Sequence, residues 1–268
     1  MAKYFIYPNA NLYSADPVGG DRTGGTNNFA ASANVTNETR LTDVSIATAA
    51  SIPQFDAVQF DMGGTITAIN AVAIYVNAVN TNDVHFFNSS SATTGAFGAS
   101  SSDDTFITGT SYDEFTSVGW QVKTGLANTT AGNAATQRYF YMYGNVATQS
   151  TITEVIIGNK LDLTNVKLTG AEGINYGNDL IVSHGGNEFS NQRHGGKKFW
   201  NFSLGHCSST YKASLEAMRE AVDGAHYKFL YYDGSAYNYV RMSGDSLRFK
   251  EIAYGVYDTT IKLTEQLS

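Results

Sequence analysis

Gly195–Gly224 reads GGKKFWNFSLGHCSSTYKASLEAMREAVDG, and the fold class of the chain turns on that stretch. A double glycine opens a segment with Phe199 and Trp200 at its centre, which predicts a strand over Gly195–Leu204. Ser208 or Ser209 then caps a helix predicted over Ser209–Asp223. Its apolar positions Tyr211, Leu215, Met218 and Val222 fall at i, i+4, i+7 and i+11, one stripe serving one sheet. Gly224 is expected to end it as a left-handed cap. Strands are expected next at His226–Tyr232, Ala236–Met242, Leu247–Tyr254 and Val256–Leu263, with turns at Asp233-Gly234 and Gly244-Asp245. The order predicts an α+β domain, one helix on an antiparallel sheet. Its tyrosines Tyr231, Tyr232, Tyr237 and Tyr239 point to both faces, and the face without a helix is expected to favour an oligomer.

Upstream, a period of two replaces the helical period. Phe55–Asp61 (FDAVQFD), Thr65–Asn77 (TITAINAVAIYVN), Gln137–Gly144 (QRYFYMYG) and Thr151–Ile157 (TITEVII) read as strands. Asp61-Met-Gly-Gly64 reads as a turn. Strands of this kind predict two packed antiparallel sheets, a jelly-roll β-sandwich. Val18–Asn34 and Asn88–Asp103 are polar and nearly featureless, as exposed loops are. The expected organisation is mainly β: a sandwich over 1–160, a connector over 161–186 and the α+β domain over 187–268.

Composition narrows the function classes. Charged residues are 15% of the 268 and the net charge is −7, against roughly 25% charged in an average soluble domain. No basic run exceeds Lys197-Lys198, which argues against a phosphate-tracking surface and a nucleic-acid partner. No apolar run approaches the roughly 20 residues a membrane span needs. The N-terminal MAKYFIYPNANLY lacks a signal-peptide core, so a soluble chain is expected. The single Cys207 leaves no internal disulfide and is expected to pack inertly.

Chemistry-bearing residues are sparse. The densest acidic group, Asp103-Asp104 with Asp113-Glu114, lacks the spacing of a calcium loop. The five histidines show no HxH or HExxH spacing, and no phosphate loop occurs. Neither a metal, a cofactor nor a catalytic set is expected. Two binding features stand out. Tyr112, Phe115 and Trp120 are a candidate aromatic platform for a glycan. The segment near Gly186–Gly196, with Asn187, Gln192, Arg193 and His194, is too polar for core and is expected to form an arm or hairpin that reaches a neighbouring subunit.

Two resemblances follow from quoted residues. Gly186–Arg193 (GNEFSNQR), Lys198–Leu204 (KFWNFSL), Gly224–Tyr232 (GAHYKFLYY) and the closing Glu265-Gln266 resemble the minor tail protein M family of lambda-like phages, relatives of distal tail proteins. The likeness covers less than a third of the chain. It implies a non-enzymatic virion protein made in the host cytoplasm, in a ring below the tail tube, with a hexamer favoured over a trimer and tube and hub proteins as partners. Phe60–Gly63 with Ile69–Val76, and Arg138–Met142 with Glu154–Gly158, resemble a discoidin-type, galactose-binding-like jelly roll without its usual cysteine pair. That likeness implies the alternative role, binding of a host-surface glycan. A carbohydrate-active enzyme, the third class weighed, requires two convergent carboxylates.

Overall fold

The computed structural model describes residues 2–9, 18–21, 44–46, 56–66, 69–78, 83–89, 113–114, 117–124, 137–144, 150–167, 171–182, 184, 188–244 and 247–266. The chain divides into two compact units, Ile6–Lys160 (with Ser268) and Met1–Phe5 with Leu161–Leu267. The strands are β1 (Tyr4–Pro8), β2 (Val18–Asp21), β3 (Val44–Ile46), β4 (Asp56–Ile66), β5 (Ala71–Ala78), β6 (Asp83–Ser89), β7 (Asp113–Glu114), β8 (Gly119–Thr124), β9 (Gln137–Gly144) and β10 (Ser150–Asp162). They continue as β11 (Ala171–Val182), β12 (Glu188–Ser208), helix α1 (Ser209–Ala221), β13 (Phe229–Tyr232), β14 (Tyr237–Met242), β15 (Phe249–Ala253) and β16 (Val256–Glu265). The molecule is mainly antiparallel β with a single helix among the described residues.

In the first unit β10 pairs with β3 and β5, and β5 with β8. A second sheet runs β2-β4-β9-β6-β7. Every pair is antiparallel, giving the β-sandwich. The centre of β5 does not alternate as its sequence suggests: Ala71, Val72, Ala73 and Ile74 are all buried. Ile152–Ile157 of β10 are likewise buried on both faces, Thr153 and Glu154 included. These are inner strands, and with both faces buried the small and β-branched residues that predominate in them suit a pleated, packed surface.

Two turn expectations change. Asp61-Met-Gly-Gly64 is no turn, because β4 runs through it to Ile66. Asp61 pairs with Tyr139 and Ile66 with Gln137, so the glycines form a bulge that re-aims one strand. The expected strand Thr65–Asn77 is broken near Asn70, whose Oδ1 accepts the Lys160 N–H at 2.7 Å.

In the second unit one sheet face makes the core. Opposed residues Trp200 and Leu263, Phe202 and Ile261, and Leu204 and Thr259 pair across β12 and β16. Met242 and Val240 of β14, with Phe229 and Tyr231 of β13, continue that face. All ten are buried. Leu215 and Met218 of α1 and its C-cap residue Val222 are buried too, which is the predicted stripe meeting one sheet. Ser208 is the N-cap, its hydroxyl accepting the Tyr211 N–H at 3.2 Å.

The helix C-terminus departs from expectation by one residue. Asp223, not Gly224, takes the first left-handed position, at φ 47°, with Gly224 following at φ 66°. Asp223 N–H reaches Glu220 O and Gly224 N–H reaches Arg219 O, the paired bonds of a Schellman end. Asp tolerates this region better than most residues with a Cβ.

Candidate functional site

β12 is 21 residues long, yet β16 pairs with it only from Phe199 onward. Among the described residues its first half is paired by β11 alone, from Val182 opposite Glu188 to Ile174 opposite Lys198; Phe199–Asn201 are paired on both sides. The result is a two-stranded hairpin projecting from the sheet. Residues 161–186, expected as a connector, therefore contain a structural strand; their Gly and Asn content hid a period of two at Ile174 and Tyr176. That period was the signal available in the sequence.

The hairpin's construction depends on one missing side chain. Gly196 lies opposite Tyr176, and a Cβ there would sit 2.6 Å from Ile174 Cγ2 and 2.8 Å from the Tyr176 ring. Ile174 and Tyr176 thus lie across the glycine backbone, as aromatic residues do over strand glycines. Both nevertheless stay over half exposed, at 51% and 56%, and Val182 at 58%. At the root, Lys198 N–H donates to Glu265 Oε2 at 2.9 Å. A lone two-stranded ribbon is marginal in water, and apolar side chains left on one are a docking signal.

Of the expected arm residues, Asn187 lies outside the described residues. Gln192 is opposite Asn178, and Arg193 and His194 fall in a register shift where three residues of β12, 193–195, face one of β11, Gly177. Within the β11–β12 hairpin, Gln192 is the last ladder partner before a bulge that holds Arg193 and His194.

β11 is one edge of a four-strand run, β11-β12-β16-β15, because β15 pairs with β16 on the side away from β12. The β15 side also carries exposed apolar residues, Ile252 and, at the turn, the fully exposed Tyr254. Sequence reading missed both edges.

The tyrosine patch is different from its expectation. Tyr231 and Tyr239 are buried. Tyr232 and Tyr237 pack against Tyr4 with ring centroids at 4.9 and 6.3 Å, and the Tyr4 and Tyr237 hydroxyls are 2.8 Å apart. Burial and that hydrogen bond raise the Tyr237 phenol well above its ordinary range. Tyr4 lies on the strand next to β13 in the same sheet, and Tyr232 and Tyr237 beside it stay partly exposed.

In the sandwich, Trp120 is half-buried on β8, opposite Tyr75 with ring centroids at 5.3 Å. Tyr112 and Phe115 lie outside the described residues. So do Asp103 and Asp104, while Asp113 and Glu114 form β7. No three of His, Cys, Asp and Glu gather among the described residues. Cys207 is free and fully buried, with burial and then Asp258 raising its thiol above the usual range, and His206 beside it is exposed.

No protein-family model and no curated sequence matches the chain. Among solved structures, it is similar to chitosan-binding module 1 of a Paenibacillus sp. IK-5 chitosanase/glucanase at 12% identity and TM-score 0.34, covering 56% of this chain and 98% of that one. A fucolectin from striped bass (Morone saxatilis) serum aligns at 12% identity and TM-score 0.34, over 75% of this chain and 71% of its own. Scores at this level leave the fold resting on the chain's own strand pairings.

Proposed function

We propose that the chain is a non-catalytic structural protein whose second unit assembles head to tail into a closed ring, as at the tip of a phage tail. One observation carries this reading: among the described residues the β11-β12-β16-β15 run ends on two unlike edges, each bearing exposed apolar residues. Unlike surfaces that complement each other generate rings, whereas two-fold dimers join a surface to itself. Open strand edges also supply unpaired backbone groups for such a contact. The tail setting rests on the sequence resemblance over 186–266, which favours six copies, then three, with tube and hub proteins as neighbours.

Native mass spectrometry of the full chain, alone and with a tail-tube protein, is the test. A closed hexamer or trimer is expected, and Ile174→Asp with Tyr176→Asp returns it to monomer with unchanged circular dichroism. A strict monomer in both conditions refutes the reading.

A second reading is host-glycan binding by the sandwich. Half-buried Trp120 on the outer strand β8, held edge-on by Tyr75 of β5, supports it, since aromatic faces of this kind stack on sugars. It requires the full chain to bind a glycan array and Trp120→Ala to lose that signal; a blank array removes it.

A further inference from the structure

The sheet of the second unit forks along β16. β14 pairs with Val256–Glu265 only at its far end, through Met242 opposite Leu263, and β15 joins only from Phe249 opposite Thr259. Between those points the ladder opens into a cleft of 670 Å³. Lys167, Arg248, Lys250 and Lys262 line it, together with the hydroxyl residues Ser203 and Thr260.

Its one acid is already committed. Asp258 pairs with Lys167 through Oδ2 and accepts the His206 N–H at Oδ1, 3.1 Å. Arg248, Lys250 and Lys262 carry exposed side chains without an acidic partner among the described residues. Among the described residues, three cations without an acidic partner thus line one opening in a chain of net charge −7. The wall bearing Arg248 is also fixed: the buried Thr259 hydroxyl donates to the Arg248 carbonyl at 2.7 Å.

We propose that this cleft binds a phosphate-class oxyanion. A carboxylate offers one charge and two oxygens, which a single guanidinium satisfies. Three cations with two neighbouring hydroxyl residues match a tetrahedral group of charge −2, its oxygens shared between an arginine fork and lysine point charges. The group comes either as free inorganic phosphate or as a phosphate ester on a carbohydrate.

Isothermal titration of the full chain at low ionic strength tests this, with inorganic phosphate, pyrophosphate and glucose 6-phosphate as separate probes. One equivalent of pyrophosphate is expected to bind, and R248Q with K262Q weakens it by at least about tenfold, as expected for losing charge-assisted contacts. The control K197Q with K198Q, away from the cleft, leaves affinity unchanged. Tighter binding of glucose 6-phosphate than of inorganic phosphate identifies an ester ligand, and the reverse a free anion. No binding by the native chain, or equal weakening in both double variants, overturns the proposal.

Discussion

Tyr231 is fully buried between Phe5, Trp200 and Phe202, with ring centroids at 5.8, 5.4 and 5.1 Å. Its hydroxyl has no hydrogen-bond partner among the described residues, and burial drives its proton affinity up. An unsatisfied buried hydroxyl costs more than it returns. Tyr231→Phe is therefore expected to stabilise the fold by roughly 0.5–1 kcal/mol, read as a higher urea midpoint at unchanged slope. Asp233 shows the opposite case. Burial alone would raise its pKa, but the Ala236 and Ser235 N–H groups, the Ser235 hydroxyl and the Asn238 amide all donate to it, holding it at about 2. A carboxyl depressed from roughly 3.9 when unfolded contributes stability above that pH and loses it as pH falls toward 2. Asp233→Asn is expected to cost about 1 kcal/mol at pH 7, allowing for solvent screening of this surface turn. Denaturation curves of the two proteins should converge near pH 2; a constant gap between them would contradict the charge-based account.

At the element scale, α1 is held more by packing than by its ends. Ser208→Ala removes one cap bond and is expected to cost about 1 kcal/mol. Leu215→Ala empties a buried position and is expected to cost about 3 kcal/mol. Thermal melts that rank the two the other way would mean that α1 docks loosely. Lys212 adds a surface clamp, its ammonium lying 4.6 Å from the Tyr257 ring centroid and 5.4 Å from that of Phe249. The helix was legible because four apolar residues at helical spacing sit between a serine and a glycine. The hairpin strand Ala171–Val182 was not, because its glycines and asparagines resemble a loop until a partner strand is in place. Gly196 explains why: its lack of a side chain is read as turn chemistry locally, whereas across the ribbon it is the seat of Ile174 and Tyr176.

For the whole molecule, assembly by unlike edges predicts a melting temperature that rises with protein concentration, because a partner that binds only the folded chain stabilises it by mass action. Calorimetry over a hundredfold dilution is the check; a constant midpoint speaks for a monomer. The sequence by itself determined the class of the molecule: β strands by their period of two, one helix by its stripe, and a protein sparse in charge. It marked Gly186–Gly196 as too polar for core, and that stretch overlaps the first half of β12. The tertiary structure alone decided which surfaces stay open. Of the four tyrosines, Tyr231 and Tyr239 are buried and Tyr232 and Tyr237 pack beside Tyr4 from the far end of the chain, while Ile174, Tyr176, Ile252 and Tyr254 are left at strand edges. The same holds for the cationic cleft, whose lysines and arginine are spread from residue 167 to 262. Local periodicity reports which way a side chain points along its own strand. What lies opposite it depends on pairings between residues far apart in the chain, and those exist only once the sheet has formed.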